Sequence, residues 1–243
     1  MIWNVNVLIV VNKLSTYYKS FIDLLFPRCC VVCGKPLMRS EEFLCTSCNM
    51  NLPRTNYHLL PDNPIERLFW NKVKLEKATS YYFYYRGGEM RKIIHEMKYA
   101  KKKEIGAVMG RQMAAELRPS GFFDGIDLLM PVVLHKKKQR DRGFNQSEWI
   151  ALGLSDAMSI PVVTNVLLKT THTESQTRKG RLERWDNVSE VFSIANKEQI
   201  KGKHLLLVDD VVTIGATLEA CAQALINEGE CSVSVVTLAC AGR

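Results

Sequence analysis

Apolar positions along this 243-residue chain fall into two rhythms. Lys77–Tyr85, Ile126–Leu134, Val162–Leu168, Lys203–Val208 and Ser232–Leu238 are short runs rich in aliphatic, β-branched or aromatic residues, and they predict strands. Between them the spacing turns helical. Met90, Ile93, Ile94 and Met97 mark one helix, and Ile105, Val108, Met109, Met113 and Leu117 mark a second that ends before Pro119. Ser147–Met158 is a third. A fourth carries Leu218, Cys221, Ala222, Leu225 and Ile226 and stops near Gly229. Strands alternating with helices predict an α/β fold, a mostly parallel sheet with helices on both faces. Leu205 to Val208 is apolar at every position, as a strand buried on both faces requires.

The N-terminal part has a different pattern. Ile2–Val11 is apolar, but it is too short to span a bilayer and Asn4 and Asn6 interrupt it. Leu14, Tyr17, Tyr18, Phe21, Leu24 and Leu25 then recur at helical spacing up to Pro27, predicting an amphipathic helix that docks on the protein or a partner. Cys30-x2-Cys33 and Cys45-x2-Cys48 follow, two knuckles with eleven residues between them. Each knuckle aims two thiolates at one ion, so together they predict a closed, structural tetrahedral Zn2+ site with no open position for catalysis. The alternative, a pair of disulfides, needs an oxidising compartment, and the chain carries no recognisable export signal. Cys29 is a spare thiol beside the site, and Cys221, Cys231 and Cys240 fall in core patterns. Pro53, Pro61 and Pro64 punctuate a polar stretch, read as a linker or the second half of the ribbon. The expected organisation is a helical region over 1–27, a zinc ribbon and linker over 28–75, and an α/β domain over 76–243. With no transmembrane segment, the expected location is cytoplasmic.

Composition adds a direction. The net charge of +8 favours anionic partners without selecting one. The basic excess is concentrated between Arg91 and Arg142, with thirteen Lys/Arg against six Asp/Glu. Lys136-Lys137-Lys138, with Arg140 and Arg142, follows a predicted strand. Thr170–Asn187 is polar and basic, and with Gln176, Arg178, Lys179, Arg181 and Arg184 it suits a flap closing over a polyanion. The bland alternative for each run is a solvated face.

The sharpest chemistry lies where the 203–208 strand ends. Asp209 and Asp210 stand at its C-terminal end, where open α/β sheets bind ligands. Thr213, Gly215, Ala216 and Thr217 follow, small and hydroxylic, at the start of a helix, where backbone N–H groups bind anions. Adjacent carboxylates beside an anion cradle suit a sugar phosphate. The element lacks the Gly-Lys-Ser/Thr ending of a Walker A loop and the GxGxxG of dinucleotide folds.

This element resembles the phosphoribosyl-pyrophosphate (PRPP) motif of type I phosphoribosyltransferases, with Ile214 at a position that is usually small or hydroxylic. Over nearly its whole length the chain resembles the ComF family of competence-associated, phosphoribosyltransferase-like proteins. The resemblance rests on Phe26-Pro27 before the cysteine knuckles, Pro131-Val132-Val133-Leu134, Arg142-Gly143-Phe144-Asn145-Gln146, and Gln176, Arg184, Asn187 and Phe192 in spaced order. It implies a type I phosphoribosyltransferase fold behind a zinc ribbon, with PRPP bound together with Mg2+. Asp209 and Asp210 would hold the ribose hydroxyls directly or through Mg2+, and the 213–217 loop would hold the 5′-phosphate. His135 and Lys136 would occupy the pyrophosphate loop, with Arg142, Arg178, Lys179 and Arg181 as further pyrophosphate or flap candidates. Purine-salvage relatives carry an aspartate where this chain has Thr213, which cannot act as a carboxylate base, so oxopurine salvage is disfavoured.

Three functions remain open on the sequence. One is a ComF-like, PRPP-binding protein concerned with incoming DNA. The second is a salvage-type or biosynthetic transferase with an unrelated acceptor. The third is a non-catalytic module for single-stranded nucleic acid or a competence helicase, with Tyr81, Tyr82, Tyr84, Tyr85 and Trp149 as stacking candidates.

Overall fold

The computed structural model describes residues 26–99, 102–134, 136–170 and 191–242, with backbone alone at 136–138, 170 and 191. The predicted N-terminal amphipathic helix lies outside the described residues, as do His135 and the 171–190 part of the predicted flap. The chain divides into two compact units after Leu52.

The smaller unit is organised by its knuckles. Cys29 pairs with Pro36 in a short antiparallel bridge, and the turn between them closes with Gly34 N–H donating to the Cys30 carbonyl at 2.9 Å. The second knuckle opens helix α1 (Thr46–Asn51), whose N-cap is Cys45. Among the described residues its buried apolar side chains are Val32, Leu44 and Leu52, with Cys30 and Cys48. A metal staple is the usual support for so few buried apolar side chains.

The larger unit, from Pro53, contains α2 (Pro64–Arg67), β1 (Ala78–Tyr84), α3 (Glu89–Tyr99), α4 (Glu104–Leu117), β2 (Leu128–Pro131), α5 (Lys136–Arg142), α6 (Gln146–Met158), β3 (Leu167–Thr170), β4 (Val191–Ile194), β5 (His204–Val212), α7 (Ala216–Gly229) and β6 (Ser232–Ala241). Strands run β1-β6-β5-β2, all parallel, and β3 and β4 form a separate antiparallel ribbon. On one face, Leu205, Leu207, Val233 and Val235 meet Leu218, Cys221, Ala222 and Leu225 of α7 and Leu167, Phe192 and Ile194 of the ribbon. The alternate residues Leu206, Val208, Val236 and Leu238 are also fully buried, on the face that α4 and α6 cover. This is the two-sided burial that the apolar 205–208 run predicts. Helices α4 and α6 approach closely: a Cβ on Gly153 would run into the Ala107 carbonyl, and one on Gly110 into that of Ile150.

Three features differ from the sequence reading. Residues 53–75, read as linker beside the ribbon, pack on the larger unit. Asn63 Nδ2 donates to Ala78 O at 2.8 Å, Thr55 N–H donates to Tyr81 O at 3.0 Å, and Ile65 and Phe69 enter the core. These residues cover the otherwise open edge of β1, which an exposed parallel sheet requires. The predicted 162–168 strand is broken: Val162 makes a single bridge with Leu129, and regular pairing resumes at Leu167, where β3 begins. Tyr81 and Tyr82 are buried, at 2% and 0% exposure, so they are core residues and offer no stacking surface.

Candidate functional site

Strand β5 continues past the predicted end, so both acids lie inside it, Asp209 in register with Thr237 of β6. Asp209 is half-buried. Its Oδ1 accepts from Ser147 Oγ at 2.8 Å and from Asp210 N–H at 2.8 Å. Burial and the neighbouring Asp210 charge push its carboxyl up to about 7, against the opposing pull of Ser147, the Asp210 N–H and Lys98. Asp210 takes a different partner, with Lys98 Nζ from the end of α3 lying 2.5 Å from its Oδ2.

The loop that follows turns the chain from β5 into α7. Gly215 is the N-cap at φ +81°, a left-handed conformation that glycine adopts without a Cβ penalty. A Cβ there would also come within 3.2 Å of the Phe69 ring, so the 53–75 segment sets the shape of this turn. Helix α7 leaves its first N–H groups without intrahelical acceptors, pointing into a hollow of about 260 Å³ lined by 211–218 and Asp209. Ile214 lines the same hollow and is 73% exposed, so it forms part of the rim without burying the backbone of the cradle.

A cleft of about 170 Å³ adjoins it, sharing Asp209 and Thr217, with Lys98, Arg142, Gln146, Ser147, Lys169 and Asp210 on its walls. The Arg142–Gln146 segment builds one of those walls. Gly143 ends α5 at φ +79°, its N–H on the Gln139 carbonyl at 2.7 Å. Asn145 caps α6, accepting from Ser147 N–H at 3.2 Å, while its Nδ2 donates to Val132 O at 2.9 Å and ties the helix to the end of β2. Arg142 Nη1 donates to Gln146 Oε1 at 2.9 Å, and its guanidinium lies over the Tyr99 ring at 5.7 Å. Gln146 is 1% exposed, and its Nε2 has no partner among the described residues. A buried amide donor without an acceptor, on the wall of a cleft lined by cations, fits an anionic ligand. The two carboxylates supply the hard oxygen donors that suit Mg2+. A further hollow of about 530 Å³ shares Val133, Leu134 and Lys169 with the cleft and is lined in part by Leu167, Leu168 and Glu148.

Thus Asp209, Asp210, Thr217 and Arg142 come together in one cleft, with Thr213, Gly215 and Ala216 in the adjoining cradle. Lys136 begins helix α5, and its side chain lies outside the described residues, as do His135, Arg178, Lys179 and Arg181. Sequence reasoning missed Lys98 and Ser147. Ser147 had a signal, the Asn-x-Ser cap that opens α6. Lys98 had none, being one polar residue after the buried Met97.

In the smaller unit, the Sγ atoms of Cys30, Cys33, Cys45 and Cys48 lie within 4.8 Å of one another. Cys33 and Cys45 are 3.7 Å apart. Four sulfurs at about 2.3 Å from one ion would sit about 3.8 Å from each other, so the set fits tetrahedral zinc. Burial pushes the Cys30 thiol up, but N–H groups of Cys33, Cys45 and Val32 outweigh it and bring it down to about 6. Burial and the neighbouring thiols push Cys48 up, a crowding that a dication would relieve. Glu41 holds the second knuckle. Its carboxylate accepts from Met38 N–H at 2.8 Å, Thr46 N–H at 2.7 Å and Thr46 Oγ1 at 2.8 Å, bonds that hold its carboxyl below the usual range.

Residues 103–243 match the model of the phosphoribosyl transferase domain. The chain belongs to that family. The DNA utilization protein YhgH of Escherichia coli is 27% identical over 209 residues, 85% of this chain and 87% of that protein. Competence protein ComFC of Bacillus subtilis is 27% identical over 210 residues, 86% and 76%. Competence protein F of Haemophilus influenzae is 32% identical over 114 residues, 46% and 50%. The ComF resemblance read from the sequence is thereby borne out, together with the fold it implied. Among the described residues no helix is long and apolar enough to cross a membrane.

Proposed function

We propose that this is a ComF-like protein that binds PRPP with Mg2+ in the cleft at the end of β5, in a role connected with DNA uptake. The observation that carries the reading is the continuity of the acid pair with the 213–217 cradle, which share Asp209 and Thr217 as walls. That spacing suits a ribose whose hydroxyls face Asp209 and Asp210 while its 5′-phosphate lies on the N-terminus of α7. Arg142 and the unpartnered Gln146 amide would meet pyrophosphate oxygens. Mg2+, when bound, would neutralise charge that develops on the pyrophosphate as it leaves. Thr213 supplies no carboxylate base, so an acceptor would have to arrive as a competent nucleophile or find a base elsewhere in the cleft. Names of relatives that refer to competence and DNA utilization support the biological side of the reading.

Calorimetric titration of PRPP into the full chain tests it. Binding should require Mg2+ and be lost in Gly215→Val with Thr217→Val. Heats indistinguishable from those of pyrophosphate alone would argue for a general polyanion site.

A second reading has its own observation. Tyr99 is 63% exposed, lies 4.9 Å from the His95 ring and carries Arg142 over its face, while Lys103 Nζ sits 4.6 Å above Trp149. Tyr99 and His95 are exposed aromatics beside a cation that lines the cleft, and the half-buried Trp149 adds a second aromatic–cation pair, an arrangement that suits single-stranded nucleic acid. Because Arg142 belongs to both surfaces, PRPP and DNA should compete.

A further inference from the structure

Lys98 is in an unusual place for a surface lysine. Met97 before it is fully buried, which fixes the end of α3. Tyr99 after it lies under Arg142, which is bonded to Gln146 on the cleft wall. Between these two anchors the Lys98 side chain reaches into the cleft, where its ammonium sits 2.5 Å from Asp210 Oδ2, the two side chains being 20% and 15% exposed. The acid pair thus already holds a cation supplied by the chain.

We propose that Lys98 is the resident counter-ion of the Asp209–Asp210 pair: it excludes free divalent cations from the ligand-free site and passes to the pyrophosphate when PRPP arrives. This rests on the PRPP reading of the cleft. The reason is charge. Two adjacent carboxylates would attract a free dication, but a fixed ammonium in contact with one of them lowers the local negative charge and repels a second cation. PRPP changes the balance because it brings several negative charges and its own Mg2+. A lysine is suited to such an exchange, being a point charge on a flexible stem with three donors that can swing from a carboxylate to a phosphate oxygen. Ligand and metal would then load together rather than metal first. A ribose phosphate without pyrophosphate would have nothing to draw Lys98 away. Lys98 is therefore a specificity residue.

Mn2+ binding to the protein without PRPP, read from the electron paramagnetic resonance of the free ion, tests this directly. Lys98→Met should raise Mn2+ affinity by about tenfold or more, since a neighbouring like charge is removed from the site. Lys98→Arg should stay close to the parent, and Lys98→Met with Asp210→Asn should lose the gain. Should Lys98→Met fail to fold, Lys98→Gln carries the same comparison. Equal Mn2+ affinity in parent and Lys98→Met would overturn the proposal, as would a gain that persists without the Asp210 carboxylate. A parent chain that binds no PRPP would sink the reading of the cleft instead, and the Mn2+ comparison would still decide the role of Lys98.

Discussion

Replacing Asp210 by asparagine separates a binding role from a structural one. From the sequence alone, an acid at the end of a strand would carry little stability. The structure changes that expectation, because Asp210 is largely shielded and paired with an equally shielded Lys98. Removing one partner of such a pair leaves the other short of an acceptor, at a cost of about 1–3 kcal/mol. Asparagine keeps an oxygen for the lysine, so the lower part of that range applies, and the melting temperature should fall by about 2–4 °C for each kcal/mol lost. On the binding side, a hydrogen bond to a charged group contributes about 1.5–3 kcal/mol, or about 10–100-fold in Kd. Part of this is offset, since in the variant Lys98 no longer has to leave Asp210 for the ligand, and a loss of about tenfold is the net expectation. Calorimetry with PRPP and Mg2+, beside a thermal melt of the same preparation, reads both quantities. A variant that melts early yet binds PRPP like the parent would refute the reasoning, because the pair would then be structural and the ribose site elsewhere.

Three further outcomes follow from the same geometry. Cys45→Ser should release the metal and unfold the 26–52 unit while the unit from Pro53 keeps its melting transition; a parent purified without reductant that holds no zinc and shows a Cys30–Cys33 disulfide would contradict this. Asp209 reverses the usual carboxylate behaviour: its carboxyl is raised to about 7, so the folded state binds the extra proton and stability should decline as pH rises from about 4 towards 7. PRPP–Mg2+ affinity should rise over the upper part of the same window as the carboxylate forms, and Asp209→Asn should flatten the stability profile; a parent profile that rises with pH in a way Asp209→Asn abolishes would give the wrong sign. Single-stranded DNA binding should fall steeply with salt, weaken in Tyr99→Ala and be displaced by PRPP–Mg2+ more effectively than by pyrophosphate at equal ionic strength; DNA that stays bound at saturating PRPP would place its surface elsewhere.

Much of the fold could be read from the chain because its strongest signals are local. The unbroken apolar run at 205–208 specifies a strand buried on both faces, and the pattern from Leu218 to Leu225 specifies the helix that covers one of them. The knuckle spacing brings four thiols together within a short stretch of chain, from Cys30 to Cys48. What escaped the sequence depends on pairings distant along the chain. Residues 53–75 look like a linker because their polar side chains serve the backbone of β1, as Asn63 does for Ala78. The tyrosines at 81 and 82 look like a surface because nothing in their own segment shows that residues 53–57 and α4 enclose them. Tyr81 donates to Glu116, and Arg54 lies over both rings and bonds Glu116 at 2.9 Å. In the cleft, the acids and the cradle were legible because they are contiguous. Lys98 and Ser147 were not, since each reaches the acid pair from a helix with its own reasons for a polar residue there.

The central claim is that one ribose phosphate ligand spans the acid pair and the 213–217 cradle. Its most direct test is a crystal structure of the full chain grown with PRPP and Mg2+. The account predicts the 5′-phosphate on the backbone N–H groups of 213–217, the ribose hydroxyls facing Asp209 and Asp210, and Lys98 turned from Asp210 to a pyrophosphate oxygen. A ligand bound outside this cleft, or one whose phosphate leaves the cradle empty while Lys98 still holds Asp210, would contradict it.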